Sequence, residues 1–324
     1  MLEKRTTPSK QSYRKLKMML PSIIVIFVLM FGGYFIAPGF ISLNNISSIL
    51  MTASLLALMS ISQNTVVMAG NNGIDLSIGA IASCTALICP LLPMNNVWLL
   101  SIAVLAALMI GVVFGFLNGF FISFVRIPAL IMTLITGKVI SGVIMVLTRG
   151  QPSAHISDLL KSLSGTLIAP IRYITLIVIV IIVVAEILLT RTRPGRTLLL
   201  VGDNYNAARI SGINVKGVLI TSYVIGGAIA GLMGLLIVAY AGSTTLNMAE
   251  SYTLLSLAAI TIGGTSLSGG QGSYVNGALG AVVLIELNSI LQALNMEQGM
   301  RFVIQGGLLL IIMIFNVRAH KIKT

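Results

Sequence analysis

Apolar runs of about the length that crosses a bilayer recur along the whole chain. One of the clearest, residues 174–189, reads ITLIVIVIIVVAEILL. A helical span needs about 20 apolar residues, and only helices and closed barrels satisfy their own backbone polar groups in lipid. The composition agrees, because 56% of the 324 residues are hydrophobic and only 9% are charged. We therefore predict an all-α polytopic membrane protein.

Reading the apolar windows gives about ten candidate spans. They lie near residues 20–37, 48–68, 74–92, 98–123, 127–147, 171–189, 218–241, 253–263, 275–294 and 301–316. The window 253–263 is too short, at about 1.5 Å per residue, to cross a hydrocarbon core of about 30 Å, which indicates a broken or re-entrant helix. With five spans in each half, any internal repeat would be inverted in the membrane.

The basic residues outside these windows orient the chain. Ten spans place both termini on one side, which carries fifteen lysines and arginines against four on the other. Because positively charged loops stay in the cytoplasm, both termini are predicted to be cytoplasmic. The predicted divisions are a basic N-terminus at 1–19, a transmembrane domain at 20–316 and a tail at 317–324. The net charge of +12 then needs no nucleic-acid partner.

Polar and ionisable side chains within the windows are candidates for lining a pathway, because placing them in lipid is costly. These candidates are Asn64, Asp75, Asn118, Lys138, Glu286 and Asn288. Asp75 has the simpler alternative of capping the helix that follows it, and Asn118 can hydrogen-bond to a neighbouring helix. Each of the others can equally be a paired structural group. Glycines at 111, 115 and 119 predict close helix packing.

A long polar loop at 190–217 separates two of the spans. Pro194 and Gly195 end the preceding helix, and Asn204 or Asn206 can cap a short helix that runs through Ile210. Such a helix is a suitable handle for a motor protein, although an ordinary solvated loop has the same composition.

The sequence contains no site for enzymatic chemistry. Residues 267–271 spell LSGGQ, a motif of the ATPase subunits of ATP-binding cassette (ABC) proteins. A Walker A loop is missing, because the Gly137–Lys138 pair is followed by valine. His155 and His320 are isolated, and both cysteines lie inside an apolar window, so no metal site is expected. We expect no catalytic residue and no cofactor in this chain.

Four motifs, in the same order over about 200 residues, resemble the permeases of ABC importers of the ribose and simple-sugar type. They are GIDLSIG at 73–79, LNGFFISFVRIPALIMTLITG at 117–137, the loop motif at 195–213 and GGTSLSGGQG at 263–272. The resemblance implies a type II-like permease architecture. The chain departs from the family at Asp203, where a second glycine is usual, and at Ser141, where an arginine is common and Lys138 lies one turn earlier.

The resemblance implies the membrane subunit of an importer for a monosaccharide or sugar-like ligand, in the bacterial inner membrane. Its implied partners are a second permease copy (identical or paralogous), a periplasmic or lipid-anchored sugar-binding protein, and a cytoplasmic ATPase that binds ATP and magnesium. The loop at 190–217 would couple the permease to that ATPase. The residues implied in coupling are Gly195, Arg196, Gly202, Asn204, Ala207, Ala208, Arg209, Ser211 and Gly212.

The LSGGQ string lies in a glycine-rich connection that we interpret as structural. Its glycines, which allow tight turns and close helix approach on the cytoplasmic side, are Gly263, Gly264, Gly269, Gly270 and Gly272. Two other functions compete with the importer. A proton-coupled secondary transporter would use Glu186 or Glu286 as a relay, and a passive channel would need a filter that the sequence does not show.

Overall fold

The computed structural model describes residues 8–92, 94–151, 156–307 and 310, with side chains from residue 19 onward. The first seven residues of the predicted N-terminus, both histidines, half of the predicted span 301–316 and the tail 317–324 lie outside the described residues. The described residues are mostly helical, as the sequence predicts.

The α-helices are named in chain order. They are α1 (Pro8–Ile36), α2 (Leu43–Met68), α3 (Ile78–Ile88), α4 (Val97–Phe120), α5 (Ala129–Thr148), α6 (Asp158–Ser162), α7 (Tyr173–Arg191), α8 (Arg193–Asp203), α9 (Tyr205–Ile210), α10 (Val215–Ala241), α11 (Glu250–Ile262) and α12 (Tyr274–Ala293). A further helix begins at residue 298. A short antiparallel hairpin of β1 (Thr166–Ile168) and β2 (Ile171–Arg172) was not predicted.

Seven helices in the described part of the chain are long and apolar enough to cross a membrane. Their spans are Met19–Ile36, Leu43–Met68, Val97–Val125, Ala129–Thr148, Tyr173–Arg191, Val215–Ala241 and Tyr274–Ala293. The windows 74–92 and 253–263 hold only the shorter helices Ile78–Leu91 and Glu250–Ile262. Each covers about 20 Å at 1.5 Å per residue, so neither crosses the core alone. The short helix at 253–263 is confirmed, whereas the full-length span at 74–92 is wrong.

The two halves of the chain share an order of helix lengths. The 26-residue α2 is followed by the short α3, and the 27-residue α10 is followed by the short α11. Gly79 N–H donates to Thr253 Oγ1 at 3.1 Å, and Ala249 N–H donates to Ser83 Oγ at 3.1 Å. Residue numbers rise on one short helix as they fall on the other, so the two run antiparallel and overlap at their first turns. This order is what the inverted-repeat hypothesis expects.

The helix α2 lies at the centre of the bundle. In its membrane-spanning window 72% of the residues are buried, against 17–22% in α4, α5 and α7. The helices α10 and α12 are also largely buried, while α1, α4, α5 and α7 expose apolar side chains on their outer faces. A buried inner layer with apolar side chains around it is the arrangement that a lipid environment allows.

The helices α4 and α10 approach each other through glycines. A Cβ at Gly111 would collide with the carbonyl of Gly227, and one at Gly115 would collide with the carbonyl of Tyr223. The backbones are therefore in direct contact, as small residues permit in membrane helices. The predicted packing role of the glycines at 111, 115 and 119 is confirmed.

We expect Gly111→Ala to destabilise the protein and Gly142→Ala to leave its stability unchanged. The first methyl group has no room, and overpacking of this kind costs about 1–3 kcal/mol. The second meets nothing within 4 Å. Thermal unfolding of the detergent-solubilised proteins measures the difference. Equal melting temperatures for the two variants would contradict direct backbone contact between α4 and α10.

Candidate functional site

A cluster of buried polar side chains holds the non-helical segment 69–77, which joins α2 to α3. We call it the central polar cluster, and its members are Gln63, Asp75, Ser77, Asn118, Thr133 and Thr136. Thr133 Oγ1 accepts a hydrogen bond from Leu76 N–H at 3.0 Å. The side-chain amide of Gln63, oriented to satisfy both of its groups, donates to the Asp75 carbonyl at 2.9 Å and accepts from the Asp75 N–H at 3.3 Å. Side chains of α2 and α5 therefore replace the backbone partners that a helix would supply.

Asp75 leads a chain of hydrogen bonds that crosses three elements. Its Oδ1 accepts from the N–H of Ser77 at 2.8 Å and from its hydroxyl at 2.6 Å. Ser77 Oγ accepts from Asn118 Nδ2 at 2.9 Å, and Asn118 Oδ1 accepts from Thr136 Oγ1 at 2.6 Å. The carboxylate thus lies just before α3, where its negative charge faces the positive end of the helix dipole. Asn118 bonds across helices, and a pathway role for either residue stays a prediction.

The central polar cluster is not fully satisfied. Asp75 Oδ2 and the Tyr223 hydroxyl are both buried and have no hydrogen-bond partner among the described residues. Tyr223 packs in the same buried cluster as Val66 of α2 and Ala129 of α5. Ser62 Oγ donates to the carbonyl of Gly226 at 2.7 Å, which puts the adjacent Gln63 level with the middle of α10. The cluster therefore lies well inside the bundle.

An ion pair lies on the surface next to this cluster. Lys138 Nζ is 3.4 Å from Glu250 Oε1, and the two side chains are 71% and 54% exposed. Lys138 is halfway along α5 and follows Gly137, which packs on Leu76, whereas Glu250 begins α11. Exposed charges at this level need water or another protein surface, because lipid does not solvate them.

Three connections meet where α2 ends, and we call this contact the glycine junction. It consists of Met68–Gly70, Gly202–Asp203 and Gly269–Gly270. Gly270 N–H donates to the Met68 carbonyl at 3.1 Å. A Cβ at Gly202 would collide with that same carbonyl and with the Gly270 nitrogen, and one at Gly269 would collide with Gly70. The backbone at Gly269 and Gly270 has φ of +95° and +72°, which favours glycine.

The remaining glycines of the predicted structural loop also make turns or close contacts. Gly264 has φ +82°, and a Cβ at Gly263 would collide with the backbone of Asn276. A Cβ at Gly272 would come within 3 Å of the Met68 side chain. The LSGGQ letters thus lie in a tight connection between α11 and α12 that is packed on the end of α2.

Two further side chains attach this connection to neighbouring helices. Asn64 Nδ2 donates to the Ser273 carbonyl at 2.9 Å, and Asn64 Oδ1 accepts from Thr265 Oγ1 at 3.0 Å. Glu186 Oε2 accepts from Ser273 Oγ at 3.0 Å and from the N–H of Tyr274 at 2.9 Å. The nitrogen and the oxygen of the fully buried Asn64 side-chain amide are both hydrogen-bonded within the protein, so its predicted pathway role would need a different conformation. Glu186 connects the last turns of α7 to the first turn of α12.

Glu286 and Asn288 lie on different sides of α12, as their angular spacing predicts. Glu286 is buried, and neither carboxylate oxygen has a partner among the described residues. Asn288 lines a cavity of about 720 Å³ between α2, α11, α12 and the helix that begins at residue 298. Both residues stay candidates for lining the pathway, but of the two, Asn288 lines this cavity and Glu286 does not.

The predicted coupling loop folds as two short helices. Thr192 caps α8 by accepting from Gly195 N–H at 3.3 Å, and Asn204 caps α9 by accepting from Ala207 N–H at 2.9 Å. The predicted short helix and its Asn204 cap are confirmed. Ala208 is buried, and Gly212 has φ +81° just after α9. The exposed members of the predicted set are Arg196, Asn204, Ala207, Arg209, Ser211 and Gly212.

Several residues of these contacts were not among the predicted site residues. They are Gln63, Thr133 and Glu250. Arg301 and Gln305, which donate hydrogen bonds to Asn288, were not predicted either. A signal existed for Gln63, because an amide in the middle of an apolar window needs a partner. Thr133 gave none, because a threonine in a membrane helix usually bonds to its own backbone.

Comparison with known proteins gives a family and a consistent set of relatives. The family described as "branched-chain amino acid transport system / permease component" matches residues 45–313. The autoinducer 2 import system permease protein LsrC of Photorhabdus laumondii subsp. laumondii is 30% identical over 279 residues, which cover 86% of this chain and 83% of that protein. The LsrC proteins of Escherichia coli (strain SMS-3-5 / SECEC) and Shigella flexneri are 28% and 29% identical over 289 residues, 88% of this chain and 84% of theirs.

No solved structure matches the chain. The family covers both the central polar cluster and the glycine junction, and the resemblance to importer permeases of the sugar type is confirmed. The chain is a multi-pass membrane protein that belongs to this family of transport-system permease components.

Proposed function

We propose that this permease imports a small sugar-like solute, driven by a separate ATPase subunit that binds ATP and magnesium. The solute would arrive from a periplasmic or lipid-anchored binding protein, and a second permease copy, identical or paralogous, would complete the pathway. Relatives named for autoinducer 2 import support a small polar ligand of this class. The family assignment over residues 45–313 supports the role of membrane subunit.

We further propose that the chain crosses the bacterial inner membrane ten times, with α3 and α11 each crossing together with the non-helical residues that precede it. The basic N-terminus 1–19, the coupling loop 190–217 and the tail 317–324 would lie in the cytoplasm. The contacts of the loops support this arrangement. Lys216, at the start of α10, lies 4.4 Å from the centre of the Phe124 ring, so two predicted cytoplasmic connections are neighbours. Arg172, from a predicted external loop, donates to Ser47 Oγ near the opposite end of α2 from the glycine junction.

The exposed surface of α9 is the observation that carries the coupling proposal. Ile210 is 87% exposed, which is unusual for a large apolar side chain beside charged Arg209. It is the most exposed of the large apolar side chains in the described part of the chain, and it lies outside the candidate membrane spans, so a protein partner rather than lipid would cover it. The adjoining α8 ends with Gly202 and Asp203, inside the glycine junction. A partner that binds α9 and displaces it would thus also displace the end of α2 and the α11–α12 connection.

Glu186 supplies a second mechanical link from this loop to the bundle. It lies in the last turns of α7, which lead directly into α8, and it binds the first N–H of α12. A carboxylate at a helix N-terminus makes a charge-assisted hydrogen bond and also interacts with the helix dipole. This contact gives Glu186 a structural role that does not require proton transfer.

The surface with the Lys138–Glu250 pair is where we place the translocation pathway. It lies beside the meeting point of α3 and α11, at a level where exposed charges require water or protein. A pathway between two permease copies would supply both. Lys138 therefore stays our strongest candidate for a pathway-lining residue.

We expect uptake by the permease–ATPase complex in proteoliposomes to require ATP. With autoinducer 2 and D-ribose as labelled probes, removing ATP should reduce uptake to the background of empty liposomes. Collapsing the proton gradient should leave ATP-driven uptake unchanged. Uptake that survives ATP removal and stops with the proton gradient would overturn the proposal in favour of a secondary transporter.

We expect Ile210→Asp to reduce co-purification of the ATPase. Burying an isoleucine contributes about 1.5–3 kcal/mol, which corresponds to at least roughly tenfold in affinity. The matched control is Ile168→Asp, because Ile168 is 74% exposed on the hairpin at the other end of the bundle. Quantitative pull-down of the ATPase measures the effect. Equal recovery by both variants would remove α9 from the proposed coupling surface.

We expect Glu186→Ala to loosen the start of α12 while the ATPase still binds. A hydrogen bond to a charged group contributes about 1.5–3 kcal/mol, so the Tyr274 amide should exchange hydrogen roughly tenfold faster. Glu186→Gln keeps an acceptor and should show a smaller change. Asp158→Ala, at an exposed site with only an ion pair to Lys161, is the control. Unchanged exchange in Glu186→Ala would show that this contact does not hold α12.

A further inference from the structure

A cavity of about 720 Å³ lies at the end of the bundle that is remote from the glycine junction. Its walls come from residues 37–40, the first half of α2, the start of α11, the second half of α12 and the helix that begins at residue 298. This volume falls within the range of small-molecule sites, about 300–1,000 Å³. All of the walls belong to one chain, so the cavity exists without a second permease copy.

The lining of the cavity is polar but almost uncharged. Half of the lining residues carry a hydroxyl, a phenol or an amide, and none of those described carries a carboxylate. Arg301 is the one charged side chain among them. Tyr240 and Tyr252 add aromatic rings, which can pack on the apolar face of a sugar. This combination suits a solute with several hydroxyl groups and no net positive charge.

Two side chains in the wall donate hydrogen bonds to one acceptor. Asn288 Oδ1 accepts from Arg301 Nη1 at 3.4 Å and from Gln305 Nε2 at 3.3 Å, while Gln292 Oε1 lies 3.5 Å from Arg301 Nη1. These hydrogen bonds are long and therefore weak. Arg301 Nε and Gln305 Oε1 are buried and have no partner among the described residues. Rotation of either side chain would exchange weak contacts for stronger ones to a solute in the cavity.

The two unpartnered atoms discriminate between solutes. Arg301 Nε is a donor, whereas Gln305 Oε1 is an acceptor. A hydroxyl group can satisfy both, because it accepts one hydrogen bond and donates another. A sulfate or a fully ionised phosphate only accepts, so it would leave Gln305 Oε1 unsatisfied. The chemistry of the wall therefore favours a neutral polyol over a simple anion.

We propose that this cavity binds a neutral pentose-sized polyol within a single permease chain, with Asn288, Arg301 and Gln305 contacting its hydroxyls. The proposal rests on the proposed import of a sugar-like solute and adds a place where the permease itself recognises it. Binding here would give the permease selectivity of its own, apart from that of a delivering protein.

Thiol labelling tests this in the full-length chain. A Ser289→Cys variant places a thiol in the cavity wall, and the native Cys84 and Cys89 are buried, so the background is low. Membrane vesicles are treated with a charged, membrane-impermeant thiol reagent, with D-ribose, D-xylose, D-arabinose or sodium sulfate added. No ATP is present, so the result does not depend on energy coupling.

We expect at least one of the three pentoses to slow labelling by a factor of 1 + [L]/Kd, and sulfate to have no effect. Adding Asn288→Ala or Arg301→Gln should remove this protection, and an unchanged labelling rate without sugar shows that the cavity is intact. No protection by any pentose, or equal protection by sulfate, would overturn the proposal. If uptake proves independent of ATP while protection persists, the driving force is wrong and the cavity site stands.

Discussion

The hydrogen bonds that satisfy the non-helical segment 69–77 are the constraint on which the rest of the structure depends. An unpaired backbone group in a water-free interior costs several kcal/mol, so irregular backbone persists there only where protein supplies partners. Gln63 and Thr133 supply them here, from α2 and α5. Their positions fix where α3 begins, and α3 in turn sets where α11 begins through the Gly79–Thr253 contact. The surface with the exposed ion pair follows from this arrangement.

The glycine junction places a second constraint on the opposite side of the same segment. Gly70 lies near the start of this segment, and it packs directly on Gly202 at the end of α8. Because these are contacts between backbones, a shift of α8 cannot be absorbed by side-chain rotation. The proposed coupling loop and the segment that carries Asp75 therefore share a rigid contact, while Glu186 adds a contact to α12. Coupling through such contacts needs no long pathway of side chains.

The sequence predicts the local features well and the long-range ones poorly. Glycine spacing predicted that α4 packs closely on another helix, which is α10, and capping rules predicted that Asn204 or Asn206 begins α9. The window 74–92 was wrongly predicted to be a full-length span, because the apolar residues Ile74 and Leu76 fit a non-helical backbone as well as a helical one. Hydropathy does not distinguish the two. The partners of Asn64 lie about 200 residues away in the chain, and no local pattern indicates them. The sequence did not predict the cavity either, because it indicates Arg301 only as a positive charge at the end of a span.

The departure at Asp203 shows why one glycine of a pair can change and the other cannot. A Cβ at Gly202 would enter the space of Met68 and Gly270, whereas the Asp203 side chain is exposed. The tight contact at Asp203 falls on its partner, because a Cβ at Gly270 would collide with the Asp203 backbone. The second glycine of the LSGGQ string is thus required by the end of α8, not by a nucleotide. In this protein the two glycines of LSGGQ make backbone contacts between the α11–α12 connection and α8 of the proposed coupling loop.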